Sequence, residues 1–140
     1  FGAVVAVATT AAVEKQPAAA YLAASDMHLV AYASVEPASD LLGQQVSGAG
    51  ALVGAALTLS AANGAQSEPS VAVAGGNFVV AFTNGADLYG LRVTSAGTVL
   101  DTYDQDGVAV GRQTHVHLGV VRAILDGPAN RDERILRSGE

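Results

Sequence analysis

The chain has 140 residues, a net charge of −6 and no cysteine. That length can bury one core. The acidic balance excludes the clustered positive surface that a nucleic-acid partner needs, and the missing thiols exclude both a disulfide framework and a thiolate metal site. Charged residues make up only 14 % and aromatics 5 %, so layers must pack closely on small side chains. With abundant Ser, Thr, Asn and Gln, this composition points to a β-rich protein outside the cell or at its surface. No apolar run is long enough for a membrane span.

In chain order, the first predicted element is a strand over residues 3–8, where Val5 and Val7 alternate with small residues. A first repeat follows over 17–59: Pro17 to Tyr21, Met27 to Tyr32, then Asp40 to Val53 with Leu57 and Leu59 closing it. A second repeat covers 69–110: Pro69 to Val73, Asn77 to Phe82, then Asp87 to Leu100, closed by Val108 and Val110. Gly43 and Gly90 are separated by the same number of residues as Gly50 and Gly97. Pro17 and Pro69 lie slightly farther apart, which assigns the first copy a longer loop around Ser34 to Ser39. Residues 1–112 therefore read as one two-repeat β domain, and 113–140 as a non-repeat, less regular tail.

The repeats have a physical meaning. Phe78 to Phe82 is a short run of β-branched and aromatic residues bounded by turn signals, the mark of a strand. Gly75-Gly76-Asn77 and Asn84-Gly85 suit tight hairpins, because Gly and Asn accept positive φ. Ser95-Ala96-Gly97 predicts a third reversal. Each unit thus yields three or four antiparallel strands in sequence, and such a sheet must stack one of its faces on a neighbour. In the tail, Val120 to Leu136 predicts a short helix ended by Gly127-Pro128. Arg122, Arg131, Arg134 and Arg137 alternate there with Asp126, Asp132, Glu133 and Glu140, as on a solvated segment.

The strings Pro69 to Val73, Asn77 to Phe82, Asp87 to Val93 and Ala96 to Asp101 resemble the repeats of bacterial extracellular β-propeller-like proteins. Units of that kind read approximately PAVAYDGTNYLVVW, DIYGQRV and GTVLD. The likeness covers residues 1–112 and implies an all-β fold of two antiparallel propeller-blade-like repeats. It implies no particular activity, since such repeats serve many roles. The first copy departs from the pattern with Leu42 where Tyr89 stands and Gln45 where Arg92 stands.

A closed propeller takes four to eight blades. Two repeats therefore predict either assembly of several chains into a ring or filament through unpaired strand edges, or a piece of a larger propeller protein or enzyme. An N-terminal strand that completes a neighbour's sheet would supply a mechanism. No Gly-x-Ser-x-Gly elbow, His-Glu-x-x-His or phosphate-cradling loop is present, so no residue is assigned to catalysis and no enzyme activity is expected.

Two ligand chemistries remain in the pattern. Asp104 and Asp106, followed by Gly107, resemble half of a calcium loop with Thr102 and Gln113 at its ends; an acidic turn between strands explains the same residues better. His115 and His117 would share one face of a strand, and with His28 distant in sequence they lack further ligands for a metal. Tyr89 and Arg92, with Tyr32 and Asp87, are candidates for a carbohydrate-binding face, since aromatics stack on sugars and Arg and Asp bond hydroxyls. Against this, Tyr32 and Phe82 occupy equivalent core positions. Asp87 likewise recurs as Asp40, which is what a turn-forming role predicts.

Overall fold

The computed structural model describes residues 3–35 and 39–101, and the strands among them form two antiparallel sheets. The first sheet has the order β1 (Glu14–Leu22), β2 (Met27–Ser34), β3 (Asp40–Ser47) and β4 (Leu52–Ser60). The second has β5 (Gln66–Ala74), β6 (Asn77–Asn84) and β7 (Asp87–Val93). Neither sheet is closed on itself. No helix among the described residues is long and apolar enough to cross a membrane.

Reversals fall where residues tolerate positive φ. Gly75 and Gly76, at φ 58° and 78°, make the two-residue loop closed by the Ala74–Asn77 pair. Gly85, at φ 63°, opens the equally short loop between Asn84 and Asp87, the position where hairpin turns favour glycine. The β1–β2 connection instead uses one turn of 3-10 helix, Ala23–Ser25, and Asp26 at φ 51°. Each β3-type strand ends in the same five-residue reversal. Ser47 N donates to Ala51 O at 2.8 Å and Gly50 N to Ser47 O at 2.8 Å. Thr94 N donates to Thr98 O at 2.9 Å and Gly97 N to Thr94 O at 3.0 Å. In both, the first residue's hydroxyl accepts from the last residue's N–H.

The repeat is written into the strand register. Ala18 pairs with Ala31, and Ala31 with Gly43; Ser70 pairs with Ala81, and Ala81 with Gly90. Ser34 pairs with Asp40 as Asn84 pairs with Asp87, which places both aspartates at the first position of their strands. β1 and β5 carry a bulge at the same place, between Lys15 and Ala18 and between Ser67 and Ser70. Within those bulges Gln16 and Glu68 adopt φ 54° and 53°, and Gln16 Oε1 accepts from Glu68 N at 2.9 Å. The second sheet continues into an isolated Val93–Val99 bridge, the counterpart of the Val46–Leu52 pair that opens β4.

Strand side chains alternate between faces, and the two sheets use opposite ones. The face with Leu29, Ala31, Leu41 and Leu59, here called the back of the first sheet, shares one apolar cluster with Phe78, Val80, Phe82, Leu91 and Val93 of the second. By register, Phe78, Val80 and Phe82 correspond to His28, Val30 and Tyr32, which lie on the front of the first sheet. The back of the first sheet thus packs on the front of the second. Gln45 bridges the two layers through Nε2, which donates to Ser95 O at 2.9 Å. Gln66 N donates to Ser39 O at 2.9 Å and ties the start of β5 to the first sheet.

One sequence expectation needs amendment. Residues 3–8 form no strand; the first strand begins at Glu14. The edge of β3 that a strand of that pattern would occupy is already taken by β4, so the segment has no ladder to join there. Its Val4 is fully exposed at 100 %. The closing residues Val108 and Val110 of the second repeat, the tail 113–140 and its expected helix lie outside the described residues.

Candidate functional site

A concavity among the described residues lies on the front of the first sheet. Its cavity of about 280 Å³ is lined by Val7, Ala8, Glu14, Lys15, Pro17, Val30 and Tyr32. The β1 bulge puts Pro17 on one wall, and the two-residue period of β2 puts Val30 and Tyr32 side by side on another. The N-terminal segment supplies Val7 and Ala8, held near the sheet by Val35 N donating to Val13 O at 2.9 Å. Glu14 also accepts from the Thr10 hydroxyl, which steadies the rim.

The chemistry of this hollow is mostly apolar, with one phenol and an acid–base pair of opposite charge, Glu14 and Lys15. Burial first, and then the nearby Glu14 carboxylate, push the Tyr32 phenol above its ordinary range. A phenol so placed stays protonated at neutral pH and serves as a hydrogen-bond donor. The arrangement suits an apolar guest with a polar end.

The residues singled out for a carbohydrate face do not converge. Tyr89 is half-buried and stacks on Phe82, ring centroids 5.9 Å apart and planes at 25°. Arg92 stands three residues on and therefore on the opposite face of β7. Its Nε donates to Asp101 Oδ2 at 3.0 Å and its Nη2 to Asp101 Oδ1 at 3.1 Å, while Arg92 N donates to Oδ2 at 2.8 Å. The hydrogen bonds to Asp101 raise the Arg92 pKa further above its ordinary value. The guanidinium fork that could grip vicinal hydroxyls is thus engaged with a carboxylate. Asp87 is exposed at its hairpin, and Tyr32 belongs to the other sheet, across the apolar cluster from Tyr89.

The Arg92–Asp101 pair explains one departure between the repeats. Gln45 replaces Arg92 in the first copy, and Gly54 stands where the second has Asp101. Both partners change together, so neither charge is left alone. Such pairing is invisible when positions are compared one at a time. Asp101 is nearly fully buried, at 3 % side-chain exposure against 38 % for Arg92.

Among the described residues, no three of His, Asp and Glu gather closely enough to hold a metal ion. His28 lies on the front of the first sheet against Tyr21, ring centroids 4.6 Å apart. The calcium candidates Asp104 and Asp106, with Thr102, Gln113, His115 and His117, lie outside the described residues. The cavity around Tyr32 was missed by sequence reasoning because residues of the N-terminal segment complete it; the only signal was that Tyr32 is the polar counterpart of the core residue Phe82. No family model, no curated protein and no solved structure matches the chain.

Proposed function

We propose that the chain is a non-enzymatic structural module of the extracellular propeller-like repeat type, whose copies associate through open β edges into a ring or filament. The observation that carries this reading is β4. It runs nine residues, Leu52–Ser60, at the edge of the first sheet, and its sequence LVGAALTLS holds neither a charge nor a proline. Natural edge strands are usually blunted by lysine, proline or a covering element. β1 at the opposite edge is blunted in this way, with Glu14, Lys15, Pro17 and a bulge. β4 has irregular register against β3 but presents Gly54, Ala55 and Ala56 exposed, an edge that favours pairing with another chain.

The test is the mass of the native particle by light scattering, with electron micrographs of the same sample. A multiple of the 14.0 kDa chain, seen as rings or fibres, is the expected outcome. A single-chain mass at all concentrations tested would overturn the self-association reading.

A further inference from the structure

Two positions of the repeat change character on the front of the first sheet. Phe82, 1 % exposed within the core shared by the sheets, corresponds to Tyr32. Gln66 corresponds to Glu14, each at the first position of its strand. Gln66 is buried and commits its amide to Ala62 O, Gly64 O and Asn84 Oδ1. Glu14 is only half-buried, and its Oε1 accepts from the Thr10 hydroxyl. The second copy therefore uses these positions for core and loop. The first places a phenol and a carboxylate on the wall of the cavity.

Glu14 pairs with Ser34, two residues beyond Tyr32 on β2, so carboxylate and phenol share the front face. Lys15 pairs with Ala33, and Glu14 is the charge that acts on the phenol. Tyr32 is 4 % exposed, yet among the described residues its hydroxyl has no hydrogen-bond partner. A buried phenol ordinarily finds one. The unpartnered oxygens sealed from the surface are Ser60 Oγ and Gln66 Oε1. The Tyr32 hydroxyl is not among these, and it opens on the cavity that the residue lines. Val7 and Ala8 are half-buried while residues 3–6 and 9–10 are exposed. The N-terminal segment, which joins no ladder, thus walls the cavity with two of its residues.

We propose that this cavity binds a small uncharged apolar molecule ending in a hydroxyl group, which accepts from the Tyr32 phenol and donates to the Glu14 carboxylate. A hydroxyl carries both a donor and an acceptor. A carboxylate end accepts from Tyr32 but is repelled by Glu14 and has nothing to donate. An ammonium end has nothing to accept the phenol proton, and Lys15 borders the same cavity. A bare hydrocarbon would cover both polar groups without satisfying either. A cavity of about 150 Å³ takes benzene, so one of about 280 Å³ takes a ring with a short arm. Val7, Ala8, Pro17 and Val30 supply the apolar walls for that ring. The site lies on the face of the sheet and not on its β4 edge, so it stands whether or not the chain associates with itself.

The experiment titrates the full-length chain at neutral pH and follows the Val7, Ala8 and Val30 methyl groups by NMR. The probes are cyclohexylmethanol, cyclohexyl methyl ether, which accepts but cannot donate, and cyclohexanecarboxylate. Cyclohexylmethanol is expected to move these methyl resonances and to bind about tenfold more tightly than either other probe, the effect of about one hydrogen bond. Two variants copy the second repeat, Tyr32→Phe as at Phe82 and Glu14→Gln as at Gln66, and circular dichroism shows that they fold. Tyr32→Phe is expected to weaken cyclohexylmethanol about tenfold. Glu14→Gln is expected to strengthen cyclohexanecarboxylate, a gain that a merely structural role for Glu14 would not produce. The proposal is overturned if the alcohol leaves the cavity methyls unmoved, or if the native chain binds the three probes alike. It is equally overturned if those methyls contact residues 102–140 in the free chain, because the tail then fills the cavity.

Discussion

At the scale of single residues, the chain places strain where the repeat demands a bulge. Gln16 and Glu68 sit at φ near 54° and 53°, a left-handed conformation that costs a residue with a β-carbon about 1–2 kcal/mol. Pro17 and Pro69 follow directly. Each leaves a position with no backbone N–H to donate, which a bulge accommodates. Glu68 is the cleaner site to probe, because its backbone N–H, not its side chain, holds Gln16. Glu68→Gly is expected to stabilise the fold by about 0.5–1 kcal/mol, the strain relief less the extra freedom of glycine in the unfolded chain. Urea denaturation measures it, and a destabilised variant would mean that the Glu68 side chain holds something in place. The two prolines were legible as a repeat mark in the sequence. The bulge they announce was not, because it depends on which residues of the neighbouring strand oppose them.

Elements show how one local structure acquires different energetics in two places. The Ser47–Ala51 and Thr94–Thr98 reversals have the same hydrogen bonds, with Gly50 at φ 82° and Gly97 at φ 83°. A β-carbon at Gly50 would meet nothing within 4 Å. At Gly97 it would lie 2.8 Å from Gln45 Oε1, on the amide that spans the two sheets. Gly50→Ala is therefore expected to cost about 1 kcal/mol, from backbone strain alone. Gly97→Ala is expected to cost about 1 kcal/mol more, because it also displaces the Gln45–Ser95 hydrogen bond. Equal losses in thermal denaturation of the pair would show that Gln45 gives way freely. Sequence spacing located both turns, since a five-residue reversal with glycine at its fourth position is a local matter. Only the packing of the second turn against Gln45 separates them.

For the whole molecule, stability rests on the cluster shared by the sheets. Leu29, Leu41 and Leu59 from one sheet, with Phe78, Phe82 and Leu91 from the other, are at or below 4 % exposure. Each sheet alone would expose that face to water, at roughly 25 cal/mol per Å² of apolar surface. The two sheets should therefore unfold as one unit. Leu91→Ala is expected to lower stability by about 3 kcal/mol, and amides of β2 and β6 are expected to lose exchange protection together. If β2 kept its native protection while β6 lost it, the sheets would be independent and the shared core would not be what holds them.

The sequence by itself determined the all-β class, the two repeats, the glycine-bearing hairpins and the strand-initial aspartates Asp40 and Asp87. These follow from local backbone preference and the two-residue period of a strand, which act over a few residues wherever they occur. It equated Tyr32 with Phe82, and Arg92 with Gln45. Tertiary structure alone decided that Phe82 lies beneath a sheet while Tyr32 lines a cavity, and that Arg92 grips Asp101 while Gln45 crosses to Ser95. It also decided that residues 3–8 join no sheet. A repeated unit folds each copy alike because local forces are alike. What its faces touch depends on the next layer, which differs on the two sides of every sheet.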